Sequence, residues 1–264
     1  MIGDSISIQK EKQFSKLFTI CSIVSDNEEY SDMKNSFIEK GFKDNSVFLF
    51  ADNTHKNNFD AYEAVNLFLQ EADSEFIILV HQDVRCIDNC ELLIQRLKEL
   101  ESLDPNWAVC GNAGGRSYKE LFYHIDNNGT VRKSPLLPQK VYSLDENLLI
   151  VKKRANLAVC NDINGFHFYG TDICIMADML GFNSYVVPFM VKHLSMGNLD
   201  SLEKFKPKFI AKYGEKFRSR FIQTSCTKFY LSNSKIKNKF FNSAIVFFFL
   251  KPALRIFNFL KRTN

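Results

Sequence analysis

Apolar and polar residues alternate along the first half of the chain in blocks that are typical of an α/β protein. Short apolar runs with β-branched residues predict strands, and the stretches between them carry apolar residues at helical spacing. The predicted strands are 17–24, 47–50, 76–80 and 108–110, and the predicted helices are 28–40, 59–72 and 88–103. Strands separated by helices of this length imply βαβ units, and therefore a Rossmann-type, mostly parallel sheet flanked by helices.

The middle of the chain follows another pattern. Its glycines predict a flexible loop over 111–115, and residues 118–152 hold short strand-like pieces around the turn 126–129. A small antiparallel insertion fits these residues better than another βα unit. A helix over 172–180 and a strand over 185–187 are predicted to follow.

Charge divides the 264 residues into two predicted domains. Residues 201–264 hold 15 of the 34 Lys and Arg but 2 of the 30 Asp and Glu, which is a net charge of +13, whereas residues 1–200 carry −9. This asymmetry predicts an α/β domain over 1–200 and a basic, aromatic-rich helical extension over 201–264 that serves as an attachment surface.

Cysteine usage and the N-terminus indicate a cytoplasmic protein. The seven Cys have no paired metal-ligand spacing, since Cys86 and Cys90 lack a second pair that would complete a zinc site. The N-terminal residues are polar and contain no apolar signal core. We therefore expect reduced thiols in the cytoplasm.

Acidic residues and histidines recur where predicted strands end. Asp26 and Asp52 follow the first two strands, and the buried run 76–80 is followed by His81 and Asp83. Ligands of open α/β sheets gather beyond the carboxyl ends of the strands. A carboxylate and an imidazole two positions apart can hold a divalent cation there, and the imidazole favours Mn²⁺ over Mg²⁺.

The order of these motifs resembles the nucleotide-sugar-dependent glycosyltransferases of the GT-A fold, in particular the bacterial glycosyltransferase-like branch related to family 2. The resemblance covers roughly residues 15–200. It is carried by Cys21-Ser22-Ile23-Val24-Ser25-Asp26, Phe50-Ala51-Asp52-Asn53, Val80-His81-Gln82-Asp83-Val84, Gly165-Phe166-His167-Phe168-Tyr169-Gly170-Thr171-Asp172 and His193-Leu194-Ser195-Met196-Gly197.

The resemblance implies a role for each matching position. Asp83 stands at the last acid of the family's metal-binding Asp-x-Asp motif, whereas His81 replaces its first acid, and His193 matches an additional metal ligand. Asp172 matches the catalytic base of inverting members. The residues that would bind the nucleotide sugar are Ser25, Asp26, Asp52, Asn53, His81, Gln82, Asp83 and Gly114, and those that would line the sugar or acceptor pocket are His167, Tyr169 and Gly170.

Each of these positions also has a purely structural interpretation. Asp83 can cap the helix that begins near Asp88, and Asp172 can be an N-cap or a first-turn acid favoured by the helix dipole. Asp26 and Asp52 can be ordinary turn residues, and His193 can be a structural histidine.

The end of the basic extension is predicted to lie at a membrane surface. Phe240 to Leu260 is nearly apolar, but Lys251, Pro252 and Arg255 interrupt it. A spanning helix needs about 20 predominantly apolar residues. An interfacial helix fits better, with Phe and Leu in the acyl boundary and Lys and Arg at anionic headgroups. Packing on the protein itself is the alternative, and the acidic first 200 residues disfavour nucleic acid as a partner.

The sequence therefore predicts a glycosyltransferase at the inner face of the cell membrane. We expect it to transfer a sugar from a nucleotide donor, first of all a UDP-sugar, to a saccharide or lipid-linked saccharide of a surface glycan. The resemblance implies inversion by direct displacement with Mn²⁺ or Mg²⁺ as cofactor. The alternatives are a non-catalytic nucleotide- or glycan-binding module, which the histidine at position 81 favours, and a membrane-peripheral scaffold.

Overall fold

The computed structural model describes residues 13–117, 120–195, 199–223, 228–243 and 245–246. The chain divides into two compact units, and the boundary between them falls after Leu202. The first unit contains the α/β sheet, and the second contains most of the basic extension. The roles that we predicted for the two segments remain predictions.

The first unit is built on a seven-stranded sheet in which five strands run in the same direction. The fourth and the seventh strand in spatial order are antiparallel to the others. In spatial order the strands are β2 (Ser46–Asp52), β1 (Lys16–Val24), β3 (Ser74–Val80), β11 (Leu148–Lys152), β5 (Trp107–Gly111), β12 (Asn183–Val186) and β9 (Gln139–Val141). The predicted α/β fold class with a mostly parallel sheet is confirmed.

Side-chain caps set the starts of the helices that connect these strands. Asp26, Asp60 and Asn89 each accept backbone N–H groups of the first turn that follows. The helices of the first unit are α1 (Asn27–Phe37), α2 (Ala61–Glu71), α3 (Cys90–Leu103) and α4 (Tyr169–Met179). Because α1 passes into a π-turn at Ile38–Phe42 that contains Gly41 with φ 87°, it ends before the predicted boundary.

A second, smaller sheet contains the predicted antiparallel insertion. Its strands in spatial order are β10 (Ser143–Leu144), β6 (Ala113–Ser117), β7 (Glu120–Asn127), β13 (Val191–His193) and β4 (Val84–Cys86), with β8 (Thr130–Lys133) paired to β7. The predicted loop over 111–115 is wrong, because these residues end β5 and begin β6. A Cβ on Gly114 would lie 2.4 Å from the Ser143 carbonyl oxygen, so close strand contact explains this glycine.

The apolar side chains of the central strands form a core that fixes the sheet edge. Ile78, Ile150 and Cys110, on adjacent strands of the large sheet, are 0–1% exposed, and Trp107 and Phe189 complete the same cluster. Fully burying one such large side chain contributes about 1.5–3 kcal/mol. The carboxyl end of β3 is therefore held by a packed sheet, and the residues that follow it have a defined position.

The second unit contains more than helices in its described part. Its elements are the remainder of α5 (Leu199–Lys216), β14 (Arg220–Gln223), β15 (Lys228–Leu231) and α6 (Lys235–Phe241). Most of the predicted interfacial segment, 244 and 247–264, lies outside the described residues. None of the helices in the described part of the chain has the length and apolar character that a membrane crossing requires.

Candidate functional site

Strand pairing brings His193 to the end of β3. The chain leaves β3 at Val80, turns at His81–Asp83 and enters β4, which pairs with β13 so that His193 lies opposite Val84. The Leu194 N–H also donates to the Asp83 carbonyl at 3.1 Å. Two segments more than 100 positions apart in sequence thus meet at one corner, because β13 is antiparallel to β4.

The side chains of His81, Asp83 and His193 form a group with the chemistry of a metal site. One ligand atom from each of the three residues lies within 4.8 Å of the others. The His193 Nε2 is 3.4 Å from Asp83 Oδ2, and the His81 Nδ1 is 3.9 Å from Asp83 Oδ1. Two imidazoles and a carboxylate are ligands that suit a divalent transition metal. The donor set therefore fits a cation such as Mn²⁺.

Tyr169 fixes the orientation of the His81 ring. Its hydroxyl is 2.9 Å from His81 Nε2 and donates to the Glu146 carbonyl at 3.4 Å. When its hydrogen is used in this way, the hydroxyl can accept the Nε2–H, which would leave the Nδ1 lone pair available to a metal. Partners of this kind hold metal-ligating histidines in the tautomer that ligation needs. Tyr169 is thus a positioning residue for His81.

The electrostatics keep Asp83 ionised and His81 neutral. Burial by itself raises the pKa of Asp83, but hydrogen bonds with His193 and Ser195 and the nearby His81 outweigh it, so the pKa lies well below its usual range. Desolvation lowers the pKa of His81 to about 4, although Asp83 opposes this shift. A carboxylate and a neutral imidazole are the protonation states that bind metals.

A cavity of about 420 Å³, here called the first cavity, lies on one side of this group. Its floor is apolar, with side chains of β1, β3 and α2 such as Ile23, Leu79 and Val65. Its polar lining includes Glu29, Gln82 and Asp83. None of the described residues that line it is Lys or Arg. A diphosphate in this cavity would therefore lack the cationic side chains that usually neutralise it.

Gln82 ties the loop after β1 to the end of β3. Its Oε1 accepts the backbone N–H groups of Ser25 and Asp26 at 2.8 and 3.1 Å. Its Nε2 donates to Ser25 Oγ and to Glu29 Oε2, both at 2.9 Å. All four polar contacts hold the rim of the first cavity. The resemblance implies that Gln82 binds the nucleotide sugar, and in the structure its side chain holds the wall of the first cavity through these four contacts.

A second cavity, of about 410 Å³, lies on the other side of the metal group. The two cavities share His81, Phe166 and Ser195. The lining of the second cavity is rich in titratable and charged side chains. They are His81, Tyr123, Arg132, Asp145, Glu146, His167 and His193.

The structure brings together some of the predicted site residues and separates others. Those that line a cavity are Ser25, Asn53, His81, Gln82, Asp83, Tyr169, His167 and His193, and those that line neither cavity are Asp26, Asp52, Gly114, Gly170 and Asp172. Asp26 caps α1, and Asp52 accepts the N–H and hydroxyl of Thr54. Asn53 is hydrogen-bonded to both backbone groups of Phe59 and so holds the loop beside the first cavity.

Asp172 lies inside the protein in this structure. Its side chain is 0% exposed, and its Oδ2 accepts the Cys160 N–H at 2.8 Å. It stands in the first turn of α4, whose N-cap is Phe168. Asp172 is thus a first-turn acid of α4, in agreement with its structural interpretation. The role of catalytic base that we predicted for Asp172 stays a prediction.

Sequence reasoning missed Asp145 and Glu146 in the second cavity. Both lie between β10 and β11, a region where the sequence predicted only short antiparallel strands. Burial raises the pKa of Glu146 to about 7, and the neighbouring Asp145 adds to the shift. The one available signal is that two adjacent acids interrupt an apolar stretch, Leu144-Asp145-Glu146-Asn147-Leu148.

Comparison with known proteins gives one sequence relative and a shared fold. No protein-family model matches the chain. It is 30% identical over 225 residues to the protein "ATP synthase subunits region ORF 6" of Fuscovulum blasticum, which covers 81% of this chain and 90% of the relative. The name of this relative describes no activity.

Among solved structures, the mannosyltransferase PcManGT from Pyrobaculum calidifontis, in complex with GDP-Man and Mn²⁺, matches with a TM-score of 0.50 and 10% identity, over 78% of this chain and 67% of the other. S. aureus TarS matches with a TM-score of 0.39 and 12% identity, over 67% and 57% of the two chains, which is too weak to support an argument. The match to PcManGT shows a glycosyltransferase-like fold.

Proposed function

The chain belongs to the same family as the ORF 6 protein of Fuscovulum blasticum, and we propose that it is a metal-dependent glycosyltransferase of the GT-A type. One observation carries the proposal. The His81, Asp83 and His193 group lies beyond the carboxyl end of β3, between two cavities that share His81 and Ser195. A donor in one cavity and an acceptor in the other would meet at this group.

The first cavity supports a nucleotide-sugar donor. Its apolar floor suits a nucleoside, and Gln82 and Asn53 hold its rim through hydrogen bonds to backbone. Binding pockets are usually apolar with a few placed polar groups. The resemblance favours a UDP-sugar, and GDP-mannose is the second donor to test because the fold neighbour PcManGT was solved with it.

The charge balance of the first cavity supports metal dependence. Glu29 and Asp83 are its acids, and none of the described lining residues is Lys or Arg. A nucleoside diphosphate brings further negative charge, so it would be repelled unless a cation is present. A divalent ion held by His81, Asp83 and His193 would neutralise the charge that develops on the leaving diphosphate. The two imidazoles favour Mn²⁺ over Mg²⁺.

We further propose inversion at the anomeric carbon by direct displacement. This reaction needs a carboxylate that takes the proton of the attacking hydroxyl. The resemblance points to Asp172 for this role. Its Oδ2 accepts the Cys160 N–H, and that hydrogen bond would have to open before Asp172 could take the proton.

The basic extension supports an acceptor at the cytoplasmic face of a membrane. Ile236 and Phe240 on α6 are 82% and 57% exposed, and three lysines lie between or beside them. Exposed apolar side chains with neighbouring cations suit an anionic lipid surface. A triple substitution of Lys235, Lys237 and Lys239 to Glu should reduce flotation with anionic liposomes. Unchanged flotation would contradict this attachment site.

A thermal-shift screen of nucleotide sugars with and without Mn²⁺ tests the donor, the metal and the class together. We expect one donor to raise the melting temperature only with Mn²⁺, and the same donor to be consumed with release of nucleoside diphosphate. The absence of a shift for every donor would contradict the proposal.

A non-catalytic binding module is the second candidate, because His81 replaces an acid of the family's metal motif. Metal-dependent binding without consumption of the donor, in the presence of the membrane-derived acceptor fraction, would favour it over the transferase.

A further inference from the structure

Glu146 has a fixed place beside the metal group. It lies between β10 and β11, and β11 pairs with β3 so that Leu148 stands opposite Val80. The His81 N–H donates to the Asn147 carbonyl at 3.3 Å. The residue next to Glu146 is thus bonded to the residue that follows β3, although the two are far apart in sequence.

Two contacts with the start of α4 hold Glu146 on the wall of the second cavity. The Gly170 N–H donates to Glu146 Oε1 at 3.4 Å, and the Tyr169 hydroxyl donates to the Glu146 carbonyl at the same distance. A Cβ on Gly170 would lie 2.5 Å from the Leu144 carbonyl oxygen and 3.4 Å from Glu146 Cγ. The absence of a side chain at position 170 therefore lets the segment with Glu146 approach α4.

The carboxylate of Glu146 is not neutralised by a cationic partner. Within the described residues it takes part in no ion pair, and its carboxylate accepts backbone N–H groups of Gly170, of Phe168 and of Glu146 itself, the first at 3.4 Å. Its side chain is partly exposed and lines the second cavity together with His81 and His193. A carboxylate that backbone N–H groups hold on a cavity wall beside the metal group, with no cation paired to it, is suited to accept a proton from a bound hydroxyl.

The surroundings of Glu146 raise its pKa into the neutral range. Burial and the adjacent Asp145 raise its pKa to about 7. Other charged or titratable groups around it are Arg132, Tyr123, His81, His167 and His193 on the cavity wall and Tyr62, Tyr169 and Cys174 at or beside α4. A general base is most effective when its pKa lies near the working pH.

We propose that Glu146 is the catalytic base that deprotonates the acceptor hydroxyl in the second cavity, an assignment that rests on the proposed glycosyltransferase function. As the acceptor oxygen forms its bond to the anomeric carbon, its proton moves to a carboxylate oxygen of Glu146. The bond from that carbon to the diphosphate oxygen breaks, and its electron pair leaves with the nucleoside diphosphate. Glu146 returns the proton to water after the product departs.

Asp172 meets these requirements less well. Its side chain is fully buried, is bonded to the Cys160 N–H and lines neither cavity, whereas the Glu146 side chain is partly exposed and lines the second cavity. The geometry therefore favours a structural role for Asp172 at the start of α4. On this account Asp172→Asn changes turnover mainly through stability, and Glu146→Gln changes it through chemistry.

Four full-length proteins test the assignment: the wild type, Glu146→Gln, Glu146→Asp and Asp172→Asn, with Glu91→Gln as the matched control. Glu91 is exposed in the first turn of α3, remote from both cavities. Donor binding is measured by thermal shift with Mn²⁺, and turnover by release of nucleoside diphosphate with acceptor or with water as acceptor.

We expect Glu146→Gln to lower kcat about 10²- to 10⁴-fold, the usual contribution of a general base, with unchanged donor affinity. Glu146→Asp should recover part of the rate, and Glu91→Gln should match the wild type. The kcat of the wild type should rise with pH as Glu146 loses its proton near its pKa of about 7, and this rise should vanish in Glu146→Gln.

Two results overturn the assignment, and they are distinguishable. If the wild type is active and Glu146→Gln keeps kcat within about threefold, the loss is too small for a general base. That result contradicts only the assignment of Glu146. If the wild type consumes no donor, the proposed transferase function is contradicted, and the assignment of a base is contradicted with it.

Discussion

The two cavities that meet at His81 have linings of different chemistry. The first cavity has an apolar floor and a rim held by the amide of Gln82, and none of its described lining residues is Lys or Arg. The second cavity is lined by Asp145, Glu146, Arg132 and three histidines. The first resembles a preorganised binding pocket, and the second resembles a place where protons are exchanged.

This difference indicates how one fold can separate recognition from chemistry. The cavity that we propose for donor binding is built from side chains of β1, β3 and α2, whose positions the core determines. The cavity that we propose for the acceptor is built where β11, β13 and α4 converge. The metal group stands at the boundary, so a change there should affect both sides, and a change in one lining should affect one side only.

Removal of the shared carboxylate should have the largest effect. Asp83→Ala takes away the acid between the two imidazoles, and we expect turnover to fall about 10³-fold or more, because several kcal/mol of charge stabilisation would be lost. Donor binding should also lose its dependence on Mn²⁺. Circular dichroism checks that the fold is kept, and unaltered turnover in a folded variant would contradict the metal role.

Loss of the Tyr169 hydroxyl should weaken the metal group while leaving its ligands in place. In Tyr169→Phe the His81 ring loses its 2.9 Å partner, and we expect Mn²⁺ affinity to fall about 10- to 100-fold, as for other outer partners of metal ligands. Calorimetric titration of Mn²⁺ measures this. Tyr62→Phe, which loses its bond to the His167 carbonyl, is the control and should bind Mn²⁺ like the wild type.

Loosening the rim of the first cavity should affect binding but hardly affect chemistry. Gln82→Ala removes two accepted and two donated hydrogen bonds, and we expect donor affinity to fall about tenfold at a net 0.5–1.5 kcal/mol per bond, because part of the loop retains its position. At saturating donor, kcat should stay close to the wild-type value. A drop in kcat with unchanged donor affinity would contradict the proposal that the first cavity serves binding and the second serves chemistry.

The smallest effect should be a gain in stability in the second cavity. A carboxyl whose pKa is raised on folding contributes stability when protonated, and this stability is lost as the pH rises through about 7. At pH 8 Glu146→Gln removes part of that penalty, because the amide also accepts the backbone N–H bonds less strongly than the carboxylate, so its melting temperature should rise by about 2–4 °C, which corresponds to roughly 1 kcal/mol. Below about pH 4, where Glu146 is protonated in both the folded and the unfolded protein, the two proteins should melt together. A lower melting temperature of the variant at both pH values would show that Glu146 is structural.

The sequence predicts what depends on local pattern. The apolar run before His81, the βαβ alternation and the turn over 126–129 all follow from periodicity and turn residues, and the structure confirms the fold class. His81 and Asp83 were found because they directly follow a buried strand. The glycines at 111–115 were misread as a loop, since their close contact with Ser143 is made by a distant strand.

Local sequence patterns do not predict which residues long-range strand pairing brings together. Glu146 reaches the metal group because β11 is antiparallel to β3, and periodicity does not encode that pairing. The burial of Asp172 depends on the segment that contains Cys160, which carries no regular pattern. The motif at the start of α4 therefore points to Asp172, whereas no local pattern indicates that Glu146 lies beside the same helix start.

The account rests most directly on metal-dependent donor binding at the boundary of the two cavities. Calorimetric titration of the donor found by the screen, into the wild-type protein with Mn²⁺ and then with a chelator, measures this. We predict at least about 100-fold tighter binding with Mn²⁺, since in the first cavity the diphosphate has no other described cationic partner. Equal affinity in both conditions would contradict the central claim.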